Sequence, residues 1–291
     1  MRVLLAGATG QLGWELLRII PEEMQVTACG RAELDIQDAT QVETVVTDVR
    51  PDIIINAAAY TAVDRSEDER EQAYAVNARG AENLAIAARS VGSRLVHIST
   101  DFIFDGRKSE PYLENDRPNP LGEYGASKLL GEQRVLAILA DKTAVIRTAW
   151  VYSAHGRNFV KTMLGLMAER DSVRVVADQV GTPTWAGSLA QAVWRIAGLD
   201  LVGIFHWTDA GVASWYDLAV AVQEEALRLG LLVRAVPIIP IRTDSYPTKA
   251  RRPPYSVLDK TSTCTAMQLC PLHWRVNLRK MLQDVKDQRG G

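Results

Sequence analysis

Cysteine is scarce in this chain: Cys29, Cys264 and Cys270 are the only three in 291 residues. So odd and sparse a set does not build a disulfide framework and fits a reducing compartment, and all three read as packing residues. Histidine is almost as rare, and His97, His155, His206 and His273 show no metal-ligand spacing, so no metal site is expected. Long hydrophobic runs are missing too. The first apolar run, residues 3–6, is too short for a signal segment, and residues 53–59 and 231–241 are too short to span a bilayer. The expectation is a cytoplasmic protein with no membrane partner. An excess of one charge is also lacking: 33 Lys and Arg against 35 Asp and Glu leave a net charge of -2, which announces no nucleic-acid partner. The absence of repeats and low-complexity tracts sets aside solenoids and disorder.

What is present is a rhythm. Short β-branched runs at residues 2–6, 25–29, 52–56 and 94–98 alternate with helical patterns at 11–20, 39–49 and 69–91. Residues 122–139 then read as a helix, 143–147 as a buried strand, and 159–169 as a helix leading to a strand at 173–176. Near-continuous apolar strands suit a parallel sheet covered on both faces by helices, an α/β doubly wound architecture. After about residue 151 the alternation weakens, although residues 185–197, 203–207 and 214–229 again look like helix, strand and helix. The reading is a first domain over residues 1–150. A smaller, interleaved C-terminal substrate-binding lobe follows over 151–291, with some segments returning to the first domain. The loop at 105–121 carries prolines and mixed charges suited to lining a substrate site.

The first strand runs directly into Gly7-Ala8-Thr9-Gly10-Gln11-Leu12-Gly13 and then a helix. Gly7 permits the tight turn, Gly10 lets backbone N–H groups approach a pyrophosphate, and Gly13 lets the helix pack on the strand. The helix N-terminus adds partial positive charge and free donors. This is a dinucleotide-binding Rossmann-type pattern, in the G-x-x-G-x-x-G spacing usual among short-chain dehydrogenases. Where NAD enzymes carry an acidic residue at the end of the second strand, this chain has Cys29-Gly30-Arg31. A guanidinium at Arg31 suits a 2′-phosphate and favours NADPH. Glu33 and Asp35 stand close enough to serve a ribose or adenine instead, so NADH stays open. The small residues Ala57, Ala58 and Ala59 after the third strand let a cofactor pass close to the backbone. The full cofactor-binding set is Gly7, Thr9, Gly10, Gln11, Leu12, Gly13, Arg31, Asp35, Ile36, Ala57, Ala58 and Ala59, with Tyr124 and Lys128.

Tyr124 and Lys128 lie four residues apart at the start of a predicted helix, which puts phenol and ammonium on one face. A neighbouring cation lowers a phenol's pKa from about 10, so Tyr124 can donate a proton to a carbonyl oxygen while hydride reaches its carbon. Lys128 would also hold the nicotinamide ribose. The fourth strand ends in Ser99-Thr100-Asp101, where Thr100 is placed to polarise the same carbonyl. Thr100, Tyr124 and Lys128 form the expected catalytic set.

Taken together, residues 7–13, 56–64, 99–106, Tyr124–Lys128 and Arg147-Thr148-Ala149-Trp150-Val151-Tyr152 resemble the dTDP-4-dehydrorhamnose reductases, and residues 158–163 and 178–184 continue the match. The resemblance implies reduction of the C4 keto group of dTDP-6-deoxy-L-lyxo-4-hexulose to dTDP-L-rhamnose. It assigns the same catalytic set and adds Thr61, Val63, Phe102, Trp150 and Arg252 as substrate-binding residues beside Thr100. Tyr255 stands where the family usually has asparagine, which leaves room for a related dTDP-ketosugar. Some family members form metal-supported dimers through glutamates, one of which corresponds to Glu15; here Glu15 reads as a solvated helix residue, and a homodimer stays open. A dehydratase should place an Asp-Glu pair after the active-site threonine, and only Asp101 is present. An epimerase of a related nucleotide-ketosugar shares the fold and the Tyr–Lys pair. A non-catalytic regulatory subunit, similar to the beta subunit of methionine adenosyltransferase, is the rival outside the enzymes.

Overall fold

Ile53, Ile54 and Ile55 are buried in succession, as a strand covered on both sides demands. They belong to β3 (Ile53–Asn56), one of six strands in a parallel sheet. The others are β1 (Arg2–Ala6), β2 (Gln25–Cys29), β4 (Arg94–Thr100), β5 (Thr143–Thr148) and a sixth strand, Gly203–His206. The computed structural model describes residues 1–290. Across the sheet the order is sixth strand, β5, β4, β3, β1, β2. From β1 the chain goes outward to β2 and then returns to β3 on the other side. That reversal opens a crevice at the carboxyl ends of β1 and β3.

The first strands are followed by α1 (Gln11–Arg18), α2 (Ala39–Val49), α3 (Arg70–Tyr74), α4 (Ala81–Val91) and α5 (Glu123–Leu139). Later come α6 (Phe159–Glu169), α7 (Ala186–Gly198), α8 (Trp215–Arg228), α9 (Thr261–Met267) and α10 (Trp274–Gly290). Strand alternation sorts them into layers. Val3, Leu5, Ile53 and Ile55 point into a core shared with α1 and α7, while Leu4, Ile54 and Leu95 face α2, α4 and α5. A third core joins α6, α8 and α10 through Met163, Leu164, Leu218, Val222, Leu278 and Met281. It is flanked by a parallel pair of strands, Val173–Val176 and Ile238–Ile241. The later half of the chain is thus shared: residues 186–207 and Met267 pack on the main sheet, while α6, α8 and α10 build a core of their own. Among the described residues no helix is long and apolar enough to cross a membrane.

Several expectations shift locally, each for a visible reason. The first helix ends at Arg18, before 20, because Pro21 disfavours a helical residue ahead of it. The single helix expected at 69–91 is broken by a π turn over Ala75–Gly80. There the Asn77 amide donates to Tyr60 O and Ser127 Oγ at 3.1 and 3.0 Å and accepts from Tyr60 N at 2.9 Å. A Cβ on Gly131 would lie 2.1 Å from Asn77 O, so α5 rides directly on this turn. Of the apolar run at 231–241 only Ile238–Ile241 is a strand. Cys29 is buried as expected, but Cys270 is exposed in the connection from α9 to α10 and is no packing residue.

Candidate active site

The glycine turn divides its labour. Gly7 has φ +86°, and a Cβ there would lie 2.5 Å from Ala58 N; at Gly13 it would lie 2.3 Å from Gly7 O. The chain's own packing therefore demands both glycines. Gly10 differs: its Cβ would meet nothing nearer than 3.4 Å, so the space beside it belongs to no protein atom. Gly10 gives α1 no side-chain N-cap, which leaves the first N–H groups of the helix free for an anion. This turn borders a cavity of about 540 Å³ that also takes in Thr9, Arg31, Asp35, Ile36 and Ala57 to Tyr60. Volume, glycine cradle and free donors fit a dinucleotide. Of the expected cofactor-binding set, Gln11, Leu12, Gly13, Tyr124 and Lys128 lie outside the cavity wall, and the Leu12 side chain is part of the core.

At the cavity's far rim Arg31 is 74% exposed and sits 3.6 Å from Asp35. Glu33 is already engaged, accepting from Gly30 N at 2.9 Å. The Asp35 carboxylate accepts from Gln37 N at 3.1 Å. Of the charged groups here, the guanidinium is the one most open to a ligand.

The chemical end gathers on β4 and α5. Thr100 is the last residue of β4, and its hydroxyl accepts from Phe102 N at 3.2 Å and donates to Asp101 Oδ1 at 3.1 Å. Tyr124 lies in the first turn of α5 with its half-buried ring set edge-on to Phe102, centroids 5.6 Å apart. Burial pushes its hydroxyl up to about 12; the Thr100 hydroxyl opposes this rise and Asp101 adds to it. Lys128 is buried, and Nζ donates to Ile98 O at 2.6 Å. Burial pushes its ammonium down to about 8, against the pull of Glu132 one turn on. Glu132 in turn is held by a buried fork from Arg147, with N–O distances of 2.9 to 3.2 Å.

The residues expected on the substrate side come from four segments. Thr61 and Val63 lie on the loop after β3, whose Asp64 receives a fork from Arg252 at 3.0 and 2.7 Å. Burial comes second there: the Arg252 hydrogen bonds hold the Asp64 carboxyl below its usual range. The strand-like run beyond Arg252 pairs with Val180 through Pro254 O and Ser256 N, each at 2.8 Å, and brings Ser256 near Asp101. Next to Val180, Gly181 faces Trp150, and a Cβ there would lie 2.7 Å from the indole. Trp150 holds φ +48°, a left-handed conformation unusual for tryptophan, and stacks on Trp215 with ring centroids 3.5 Å apart. Residues 250–256 thereby tie the Thr61–Val63 loop, Asp101 and the Trp150 region to one another.

A family model described as the RmlD substrate binding domain matches residues 1–287. The dTDP-4-dehydrorhamnose reductase of Aggregatibacter actinomycetemcomitans is 42% identical over 288 residues, covering 96% of this chain and 98% of its own. The chain belongs to the dTDP-4-dehydrorhamnose reductase family. The Escherichia coli K12 member is 39% identical, with 98% of each chain covered. A dTDP-4-dehydrorhamnose reductase from Bacillus anthracis, solved in complex with NADP, superposes with a TM-score of 0.92 at 38% identity, covering 97% of this chain and 99% of its own. A UDP-glucose 4-epimerase from Thermus thermophilus shares the fold at 21% identity and a TM-score of 0.82.

For this member of the dTDP-4-dehydrorhamnose reductase family, two expectations about the site are overturned. The Tyr124 hydroxyl is not lowered by Lys128, since burial raises it to about 12. Glu15 is not solvated: it is 2% exposed, accepts from Ser153 Oγ at 2.8 Å and pairs with Arg18 at 3.1 Å. Burial raises its carboxyl above the usual range, with Ser153 and Arg18 opposing. The sequence reading also missed groups that only the fold brings in. Asp101 is 1% exposed with Oδ2 unpartnered, and burial pushes it up to about 7 against the lowering influence of the nearby Ser256 and Thr100 hydroxyls. His97, whose Nδ1 lies 3.1 Å from Asn56 Nδ2, is held well below its ordinary range by burial and by Lys128. Trp215 carried no local signal, because its partner Trp150 is far away in sequence.

Proposed function

We propose that this protein reduces the C4 keto group of dTDP-6-deoxy-L-lyxo-4-hexulose to give dTDP-L-rhamnose. Bound NADPH supplies the hydride. The observation that carries this reading is that Thr100 ends β4 while Tyr124 opens α5 with its ring edge-on to Phe102, at the same carboxyl edge of the sheet as the glycine-lined cavity.

At neutral pH a phenol raised to about 12 keeps its proton, which is the state a donor to a carbonyl oxygen needs. Thr100 gives that oxygen a second hydrogen-bond partner. Lys128, with Glu132 and Arg147 behind it, holds positive charge under the site and stabilises the phenolate left when the proton departs. Arg31 favours NADPH over NADH by offering a guanidinium to a 2′-phosphate. Arg252, Trp150, Thr61, Val63 and Phe102 hold the nucleotide-sugar on the opposite wall. We assign the substrate-binding lobe to the part of residues 151–291 that packs around α6, α8 and α10. The protein acts in the cytoplasm on this reading. A homodimer is part of it as well, supported by exposed Leu17, Ile19, Ile20 and Leu199 around the ends of α1 and α7, and light scattering tests it.

The test is to incubate the pure protein with NADPH and the dTDP-4-keto-6-deoxysugar, follow loss of NADPH absorbance, and identify the product sugar. Stoichiometric oxidation with dTDP-L-rhamnose formed is expected. No oxidation above a substrate-free control would favour a non-catalytic role for the same fold.

A further inference from the structure

Loop 153–158, between strand Val151–Tyr152 and α6, reaches out of the second lobe and lies on the glycine turn. His155 Nε2 bonds Thr9 O at 3.0 Å. A carbonyl only accepts, so this nitrogen carries the proton. The imidazole also stacks on Trp14, with centroids 5.4 Å apart and planes 10° from parallel. Asn158 Nδ2 donates to Gln11 Oε1 at 2.8 Å and to Ser153 O at 2.7 Å. Ser153 Oγ bonds Glu15. Gly156, at φ +73°, brings the loop so close that a Cβ would stand 3.2 Å from Gln11 Cγ. Apart from the Asn158–Ser153 bond inside the loop, every one of these ties ends on the turn or on the first five residues of α1.

The turn has reason to need help. Three glycines in seven residues leave a large conformational entropy to be lost on ordering. The helix that follows has no side-chain N-cap to fix its start. An outside brace on Thr9 and Gln11 supplies the missing order before a ligand arrives, which lowers the cost of binding. We propose that loop 153–158 is a clasp that holds the glycine turn in its anion-binding shape, with Asn158 and His155 as positioning residues for the dinucleotide's diphosphate. The proposal rests on the cofactor reading given above. It also couples the lobes, since the same loop leads into α6 of the substrate side.

One substitution separates the clasp from ordinary stability. Asn158 also caps α6, accepting from Lys161 N at 3.0 Å. Serine caps a helix about as well as asparagine but is too short to reach Gln11. Asn158→Ser therefore keeps the cap and cuts the tie. The measurement is equilibrium binding of NADPH by fluorescence titration to wild type, Asn158→Ser, His155→Ala, Gln11→Ala and the Asn158→Ser/Gln11→Ala double variant, each with a thermal melt. Asn158→Ser and His155→Ala should weaken NADPH about tenfold with near-wild-type melting, and at saturating cofactor kcat and the sugar KM should stay in place. Once Gln11 is gone, Asn158→Ser should cost nothing further. If wild type binds NADPH and both single variants bind it as tightly, the clasp is overturned while the cofactor reading stands. Additive losses in the double variant would also overturn it, because the effect would then not pass through Gln11. If wild type binds no NADPH, the cofactor reading itself fails and the clasp falls with it.

Discussion

The two ends of the cleft are built in opposite ways. At the cofactor end, the glycine turn after β1, residues 31–37 after β2 and residues 57–60 after β3 line most of one cavity, all early in the chain and on neighbouring strands, and loop 153–158 touches the turn from outside. At the sugar end, Trp150, Gly181, Trp215, Arg252 and Ser256 come from four distant segments and meet only because strand pairing and ion pairs bring them together. A site built from short segments at the ends of neighbouring parallel strands tolerates changes elsewhere. A site assembled by tertiary structure is exposed to any change that moves a wall.

The largest effect should come where the two ends meet. Tyr124→Phe removes the proton donor and should lower kcat by roughly 10²–10⁴-fold while NADPH binding survives; an unchanged kcat would break the comparison at its centre. Within the cofactor end, Gly13→Ala should destabilise the fold by about 1–3 kcal/mol or more, since its Cβ meets backbone 2.3 Å away. Gly10→Ala should leave thermal melting near wild type yet weaken NADPH at least tenfold, the space being the ligand's alone. Equal melting losses in the two variants would erase the distinction. At the sugar end, Gly181→Ala pushes on the Trp150 indole and should raise the sugar KM by roughly tenfold with NADPH affinity intact. Arg31→Ala should give the smallest change, a loss of NADPH affinity of about tenfold with NADH unaffected.

Acid–base behaviour sharpens the same contrast. Asp101 binds its proton more tightly folded, at about 7, than at its ordinary 3.8. Its burial therefore costs nothing below the lower value, and the cost grows as pH rises through the window until it is complete above about 7. Asp101→Asn should gain stability over wild type at pH 8 relative to pH 5. An ionised Asp101 also opposes phenolate formation at Tyr124, so kcat/KM should fall as pH rises through about 7, and this inflection should vanish in Asp101→Asn. Parallel melting curves across pH would remove Asp101 from the account.

How much could be read beforehand follows from the same difference. The sheet, its helices and the glycine turn were legible because each rests on local periodicity and on residues a few positions apart. The i, i+4 pairing of Tyr124 and Lys128 on α5 was legible for the same reason, and the end of β4 at Thr100 was read from its strand pattern. Glu15 was misread because its partner Ser153 lies 138 residues away, and nothing local marks a buried carboxylate on α1. Asp101 stood in plain view beside Thr100, yet the hydroxyl of Ser256 that influences its carboxyl comes from the far end of the chain. The π turn escaped because helical spacing continues through it, and only the demand of Asn77 for Tyr60 and Ser127 reveals the break. Helices α9 and α10 carried no motif and went unassigned.

The most direct test follows a label through the reaction. NADPH carrying deuterium at the transferable position of its nicotinamide is incubated with the protein and the dTDP-4-keto-6-deoxysugar, and the product is read by mass spectrometry and NMR. One deuterium at C4 of dTDP-L-rhamnose is the expected result. A product with only hydrogen at C4, or NADPH left unoxidised, would contradict it.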